Sequence, residues 1–390
     1  VLTDGSAQLW QAHPHIPGLV RTEEAAIDSM VLASDGKELL TASDNIATLW
    51  SLSGGQNARF SLDASILSAE TSRDGERVLV VTDDGPELLD RNGTRLATLV
   101  GSDETMRNAH FSPDGQVIVT AEGYEARIWD RDGKLLASLV GHDFWVNDAE
   151  FSPDGQHIVT ASDDHTARVW DRSGKLIATL QGHSGAVQRA IFSPNSQQIA
   201  TLSYDNTVRL WDLAGHELHS LPQDSLPIEA VFSPDGKWLA VSNEGNTVQL
   251  WNLDAPETPI YLRGHTLPVR VVRFSPDGQS VLTASDDKSA RMWNLQGSET
   301  MMLRGASDTV TGAVFVPGGE NNAAASIITS SYDGAIRTYP LDRETLLSQV
   351  ACRVNSQINP AVLEPLINDI ANNTPEFDYT TYSCPLALGQ

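Results

Sequence analysis

Cysteine is nearly absent. Of 390 residues only Cys352 and Cys384 carry a thiol, both among the last forty, so the body of the chain is no disulfide scaffold. Long apolar runs are missing too. No stretch of about 18 apolar residues is present to span a bilayer, and the first thirty residues lack a basic start followed by an apolar segment. Neither insertion nor secretion is signalled, and the expected location is cytoplasmic. Positive charge is scarce: 26 Lys and Arg stand against 51 Asp and Glu, a formal net charge of −25. A surface of that sign repels phosphate backbones and anionic lipid, which argues against nucleic acid and membrane as partners. Also lacking are Gly-x-x-x-x-Gly-Lys-Ser/Thr, Gly-x-Ser-x-Gly and His-Glu-x-x-His, so no cofactor, metal or catalytic motif is read here.

What the chain has instead is a period. A Trp or its substitute recurs at Trp10, Trp50, Leu89, Trp129, Trp170, Trp211, Trp251, Trp293 and Tyr339, at spacings of 40, 39, 40, 41, 41, 40, 42 and 46. The last is stretched by the longer loop VPGGENNAAAS (316–326). Within a unit, KLIATLQ (175–181), VQRAIFS (187–193), QQIATLS (197–203) and TVRLWD (207–212) are β-branched and apolar runs of strand length. Ser-Pro-Asp-Gly at 112–115, 152–155, 233–236 and 275–278 places Pro where φ near −65° suits a turn, and Gly where φ can turn positive. A four-stranded antiparallel unit of about 40 residues cannot bury both faces alone. Successive twisted units must stack, and the stack closes radially into a β-propeller.

Gly-His opening a unit and Trp-Asp closing its third strand (Trp129-Asp130, Trp170-Asp171, Trp211-Asp212) resemble the WD40-repeat family over residues 1–340. The resemblance implies a buried hydrogen-bonded tetrad of His, Ser or Thr, Asp and Trp. It is expected as His142, Ser162, Asp164 and Trp170; His183, Ser203, Asp205 and Trp211; and His265, Ser285, Asp287 and Trp293. In each the His precedes the Trp by 28 residues. A buried carboxylate and imidazole are costly unless each finds a partner, which such a chain supplies. Other units are degenerate: Ser102 and Ala306 stand where His would be, and 20–70 lack Gly-His.

Eight complete units follow Val20, and a strand near Ile16 to Val20 can complete the blade ending at Tyr339, which favours eight blades; seven and nine stay open. Residues 1–19 read as the remnant of a preceding repeat plus this closing strand. Residues 341–390 change period. Leu346, Leu347, Val350 and Val354, then Asn359-Pro360 followed by Val362, Leu363, Leu366, Ile367 and Ile370, predict a short helical tail. Ala351-Cys352-Arg353 and Tyr382-Ser383-Cys384-Pro385 resemble the end of WD40 arrays in bacterial NTPases of the STAND class. That resemblance implies a sensor or regulatory part of a larger signalling protein. The chain opens VLTDGSAQLW, inside a repeat and without Met, so further domains N-terminal to Val1 are expected.

His183-Ser184 invites a hydrolase reading, but the His-Ser-Asp pattern recurs in three units, and an active site has no reason to be copied. His13-Pro-His15 reads as a solvated loop, and Asp163-Asp164 and Asp286-Asp287 as turn residues, not metal ligands. Recognition is the better expectation. The resemblance places Phe144, Trp145, Asn147, Asp163, Tyr204, Arg270, Asp286 and Tyr332 on the top face around the channel, where exposed aromatics and Arg carry binding energy. Packing of Phe144 or Trp145 against the next blade is the competing role. The function expected is a non-catalytic protein- or peptide-recognition scaffold with a basic or neutral partner. The alternative is an enzyme with its site at the channel mouth.

Overall fold

The computed structural model describes residues 20–21, 26–33, 36–52, 55–99, 106–318 and 324–341. They form eight four-stranded antiparallel sheets and, among the described residues, no helix. Blades 1 to 7 span 29–61, 66–98, 106–140, 146–181, 187–222, 227–263 and 269–303. Blade 8 takes three strands from 310–340 and its outermost strand from Val20–Arg21, which pairs antiparallel with Ile336 and Ala335. The closing strand thus begins where the expected one near Ile16 to Val20 ends. Residues 1–19, with Trp10, and the tail 342–390, with both cysteines, lie outside the described residues.

Each blade repeats one burial pattern, seen in blade 4. The inner strand Val146–Phe151 lines the channel, the second strand His157–Ser162 and third strand Thr166–Asp171 are largely buried, and the outer strand Leu176–Gln181 alternates toward solvent. The β-branched second strands fit a pleat covered on both faces, because alternate residues enter different cores. Val159, Ala161, Ala167 and Val169 pack against Ile199 and Trp211 of blade 5, whereas Ile158 and Trp170 pack against Val119, Ala121 and Ile128 of blade 3. There are eight such inter-blade cores for eight blades. The eighth joins Ile27, Met30, Leu39 and Trp50 of blade 1 to Val316, Ile328 and Ile336 of blade 8, so the ring is closed. Two hydrogen bonds fasten that seam: Ile27 N–H to the Ser331 carbonyl, and Thr311 Oγ1 to the Ile27 carbonyl at 2.7 Å. An open row of eight sheets would have seven cores and two bare faces.

Candidate functional site: the top face and channel

Three blades carry a complete buried latch. In blade 4, Trp170 Nε1 donates to Thr160 Oγ1 (3.0 Å), Thr160 meets His142 Nε2 (2.8 Å), and His142 Nδ1 meets Asp164 Oδ2 (2.7 Å). Blade 5 repeats this with Trp211, Thr201, His183 and Asp205, and blade 7 with Trp293, Thr283, His265 and Asp287. One tautomer satisfies every member, with Nδ1–H donating to the carboxylate and Nε2 accepting from the hydroxyl. The hydroxyl is therefore Thr160, Thr201 or Thr283, and not Ser162, Ser203 or Ser285.

Strand geometry explains the correction. Ile158 is the cross-strand partner of Trp170, so Thr160 is the diagonal neighbour on the same face. Ser162 lies two residues further on, about 7 Å away, beyond reach of the indole. The serines instead tie the loop: Ser162 Oγ donates to the Phe144 carbonyl and accepts from Asp164 N–H, and Ser203 and Ser285 do the same for Gly185 and Leu267.

Burial alone would raise the Asp205 carboxyl, but hydrogen bonds from Thr207, His183 and Ser184 N–H hold it down at about 2. Asp164 and Asp287 are lowered by equivalent contacts. Burial lowers His183 and His265 despite the neighbouring carboxylates, so both imidazoles are neutral near pH 7. The latch is a closed set of satisfied groups with no spare nucleophile.

Backbone hydrogen bonds fix the top face in blades with and without the latch. In six blades the first residue of the turn after the second strand donates its N–H to the loop entering the inner strand: Asp83 to Ser65, Asp163 to Trp145, Tyr204 to Ala186, Glu244 to Leu226, Asp286 to Pro268 and Tyr332 to Thr309. These six residues are all acidic or aromatic. Tyr204 is 55% and Tyr332 44% exposed. In blade 3 the first turn residue is Gly123, at φ 52°, and the aromatic is the second, Tyr124. Tyr124 meets Trp145 edge-on at 6.0 Å and Phe144 at 6.5 Å, forming one cluster across the blade 3–4 junction with Tyr124 and Phe144 about half exposed. Sequence reasoning missed Tyr124 because Gly123 holds the first turn position that Tyr204 and Tyr332 hold in their blades.

The other expected residues divide. Trp145 is half-buried. Asn147 is buried, its Nδ2 donating to Asp163 Oδ1 (2.7 Å) and the Val187 carbonyl (3.0 Å), so it braces the rim instead of presenting a surface. Arg270 is exposed but its guanidinium is spent on Asp286 at 2.8–3.1 Å. Asp83, Asp143, Asp163 and Glu244 enter no ion pair among the described residues. The top face is thus aromatic and acidic.

Below it, the inner strands hold a charge pattern that the sequence reading did not find. Going round from blade 2 to blade 7 the signs alternate: Glu70, His110, Asp148 with Glu150, Arg189, Glu229, Arg273. Glu70 accepts from Phe111 N–H and faces His110 Nδ1 at 3.0 Å. Asp148 accepts from Asn108 Nδ2 (2.6 Å) and Ala190 N–H (3.2 Å) and lies 4.0 Å from Arg189 Nε. Glu229 accepts from Val272 N–H (2.9 Å) and Arg273 (2.7 Å). Burial works against a charged His110, but Glu70, Asp148 and Glu150 outweigh it and raise its pKa to about 9. Glu150 is pushed up to about 7 by burial and by Asp148. The signal was available in Glu70, His110 and Glu150 at 40-residue spacing, and it becomes readable once those positions are known to share the channel wall.

Eight four-stranded blades, three of them with a complete latch of Thr, His, Asp and Trp, define a WD40-type β-propeller. The chain belongs to the family described as IFT122 first beta-propeller, which matches residues 105–374. Among solved structures, the computationally designed Ika8 protein, seen in a crystal structure, is similar at 19% identity with a TM-score of 0.70, over 83% of this chain and 99% of its own, a likeness of fold alone. No curated protein matches the chain. No helix among the described residues is long and apolar enough to cross a membrane.

Proposed function

We propose that the ring is a non-catalytic recognition and scaffolding module that binds a basic protein segment or peptide across its top face. The observation that carries this reading is the run of acidic and aromatic turn residues, with Tyr124, Phe144, Tyr204 and Tyr332 each 44–56% exposed on a rim whose turns are tied by backbone hydrogen bonds. Exposed aromatics beside carboxylates that enter no ion pair among the described residues suit a chain that offers ammonium or guanidinium groups together with apolar contact. Within a larger chain the ring would serve as a cytoplasmic sensor or regulatory part of a signalling protein; support for that role is confined to the tail motifs around Cys352 and Cys384. Binding to an array of immobilised peptides of graded Lys and Arg content tests the face. The wild type is expected to retain basic members. Phe144→Ala with Tyr204→Ala is expected to weaken them by tenfold or more, about 1.4 kcal/mol, at unchanged melting temperature. Equal binding by the double variant, or retention of acidic peptides, would remove the reading.

An enzyme at the channel mouth is favoured by one feature, the His110–Glu70 pair beside Glu150. Although burial opposes it, Glu70, Asp148 and Glu150 keep His110 protonated near pH 7, so it is no general base, and no hydroxyl or thiol among the described residues hydrogen-bonds to it as a nucleophile.

A further inference from the structure

We infer that the outer edge of blade 3 joins two copies of this chain, with strands Leu135–Val140 pairing antiparallel about a two-fold axis at Ser138. The outermost strand of any blade leaves one row of backbone N–H and C=O groups unpaired, and proteins blunt such edges with charge, Pro or shortness. The outer strands of this ring differ in that respect. Blade 1 exposes Gln56, Asn57, Arg59 and Ser61, blade 2 Arg95, blade 5 Glu217 and His219 with Pro222, and blade 7 Glu299; blade 6 has a four-residue strand ending on exposed Arg263. Blades 3 and 4 both have outer strands of full length with no exposed charge: blade 4 exposes Leu176, Ile177, Thr179 and Gln181, and blade 3 exposes the more apolar set Leu135, Leu136, Ser138 and Val140. Val140, at 70%, has the highest exposure of the large apolar residues described, and Leu136 is at 53%.

Spacing says what covers it. Residues two apart share a face of a strand, so Leu136, Ser138 and Val140 lie together. An axis through Ser138 sets Leu136 opposite Val140 of the second copy, and Val140 opposite Leu136 of the second copy, so the edge complements itself without a gap or a buried charge. Blade 4 extends the patch. Its Gly174 turn rests against Ala137, where an added Cβ would come within 3.2 Å of the Ala137 Cβ, and this brings exposed Leu176 and Ile177 alongside. With a net charge of −25 two copies repel over most of their surface, and the contact must fall where acids are lacking. One strand pair is a small interface, below about 1,200 Å², so the dimer is weak and concentration-dependent.

Sedimentation velocity of the 390-residue chain over rising protein concentration tests this. A shift from monomer to dimer is expected, and it should strengthen with salt because salt screens the repulsion while leaving apolar contact intact. Leu136→Lys with Val140→Lys, both solvent-facing, should keep its circular dichroism and melting temperature and weaken association tenfold or more; Leu67→Lys, also exposed but on the inner strand of blade 2, should associate like the wild type. Opposed residues in an antiparallel pair sit about 4.5–5.5 Å apart at Cα, within disulfide range, so oxidised Ser138→Cys should cross-link beyond the wild-type level. A wild type that stays monomeric at high concentration and high salt, a double-Lys variant that dimerises unchanged, or the lack of any added Ser138→Cys cross-link would each overturn the inference.

Discussion

The latch shows what one hydroxyl does. Trp50 and Trp129, in blades without the histidine, still donate to Thr41 and Thr120 at 2.9 Å, so the Trp–Thr bond is the part of the latch that outlives degeneracy. Blade 2 abandons it cleanly, with Val80 and Leu89 both apolar and buried. Blade 6 is the exception. Val241 stands at the threonine position while Trp251 is retained, and its buried Nε1–H finds no protein acceptor. An orphaned donor of this kind costs roughly 1–3 kcal/mol. Val241→Thr is therefore expected to stabilise the ring by about 1 kcal/mol, and Thr201→Val, which strands both Trp211 Nε1 and His183 Nε2, to destabilise it by about 2–3 kcal/mol. Chemical denaturation reads both, and equal midpoints for Val241→Thr and wild type would refute the first. The sequence motif made the latch legible in outline, but the hydroxyl it pointed to, Ser162, lies two residues past the one used, Thr160, and only the cross-strand register with Trp170 shows this.

Between elements, the tight turns joining third and outer strands are where one blade meets the previous one. Gly133 has φ of +86°, and a Cβ there would come within 2.4 Å of the Ala97 Cβ in blade 2. Gly133→Ala meets both backbone strain and a clash with a neighbour that cannot retreat, and should cost about 2–4 kcal/mol. Gly36→Ala makes the comparison, since Gly36 shares a positive φ of +68° but has nothing within 4 Å of the added methyl; its cost should stay near 1 kcal/mol. Comparable losses in thermal melts of the two variants would show that blade contact at Gly133 adds nothing. The same turns choose between two fastenings. Arg131 reaches Asp74 at 3.2 Å and Arg172 reaches Asp114 at 2.8 Å, each in the preceding blade, whereas Leu213, Leu253 and Leu295 occupy that place in blades 5 to 7 and pack into the inter-blade cores. Tyr124 was hidden because Gly123 takes the first position of its turn, which leaves the aromatic at the second.

For the whole molecule, the period and the alternating runs made the propeller legible, whereas the blade number rested on ring closure, a contact between Val20–Arg21 and a strand more than 300 residues away. The channel was illegible for a related reason, because its charges come from six blades and balance only in the closed ring. Six alternating signs leave one carboxylate over. Asp148 already meets Asn108, Ala190 N–H and Arg189, and Glu150, on the same strand, is the surplus. A carboxyl at about 7 in the fold and near 4.5 when unfolded favours the folded state fully below pH 4.5, and that contribution is lost as pH rises through 7. The latches run the other way. Depressed His183, His265 and Asp205 contribute stability that is present above their unfolded values and lost on acidification, from 6.5 downward for the imidazoles and between 3.8 and 2 for Asp205. Stability should therefore peak between about pH 6 and 7, with His110 protonated and Glu150 still largely neutral. Glu150→Gln removes the surplus acid without removing volume. Its melting temperature should exceed that of wild type at pH 8, by the equivalent of about 1 kcal/mol, and converge with it at pH 4.5. A constant offset across that range would mean that Glu150 contributes packing alone, and that the channel wall holds no unbalanced charge.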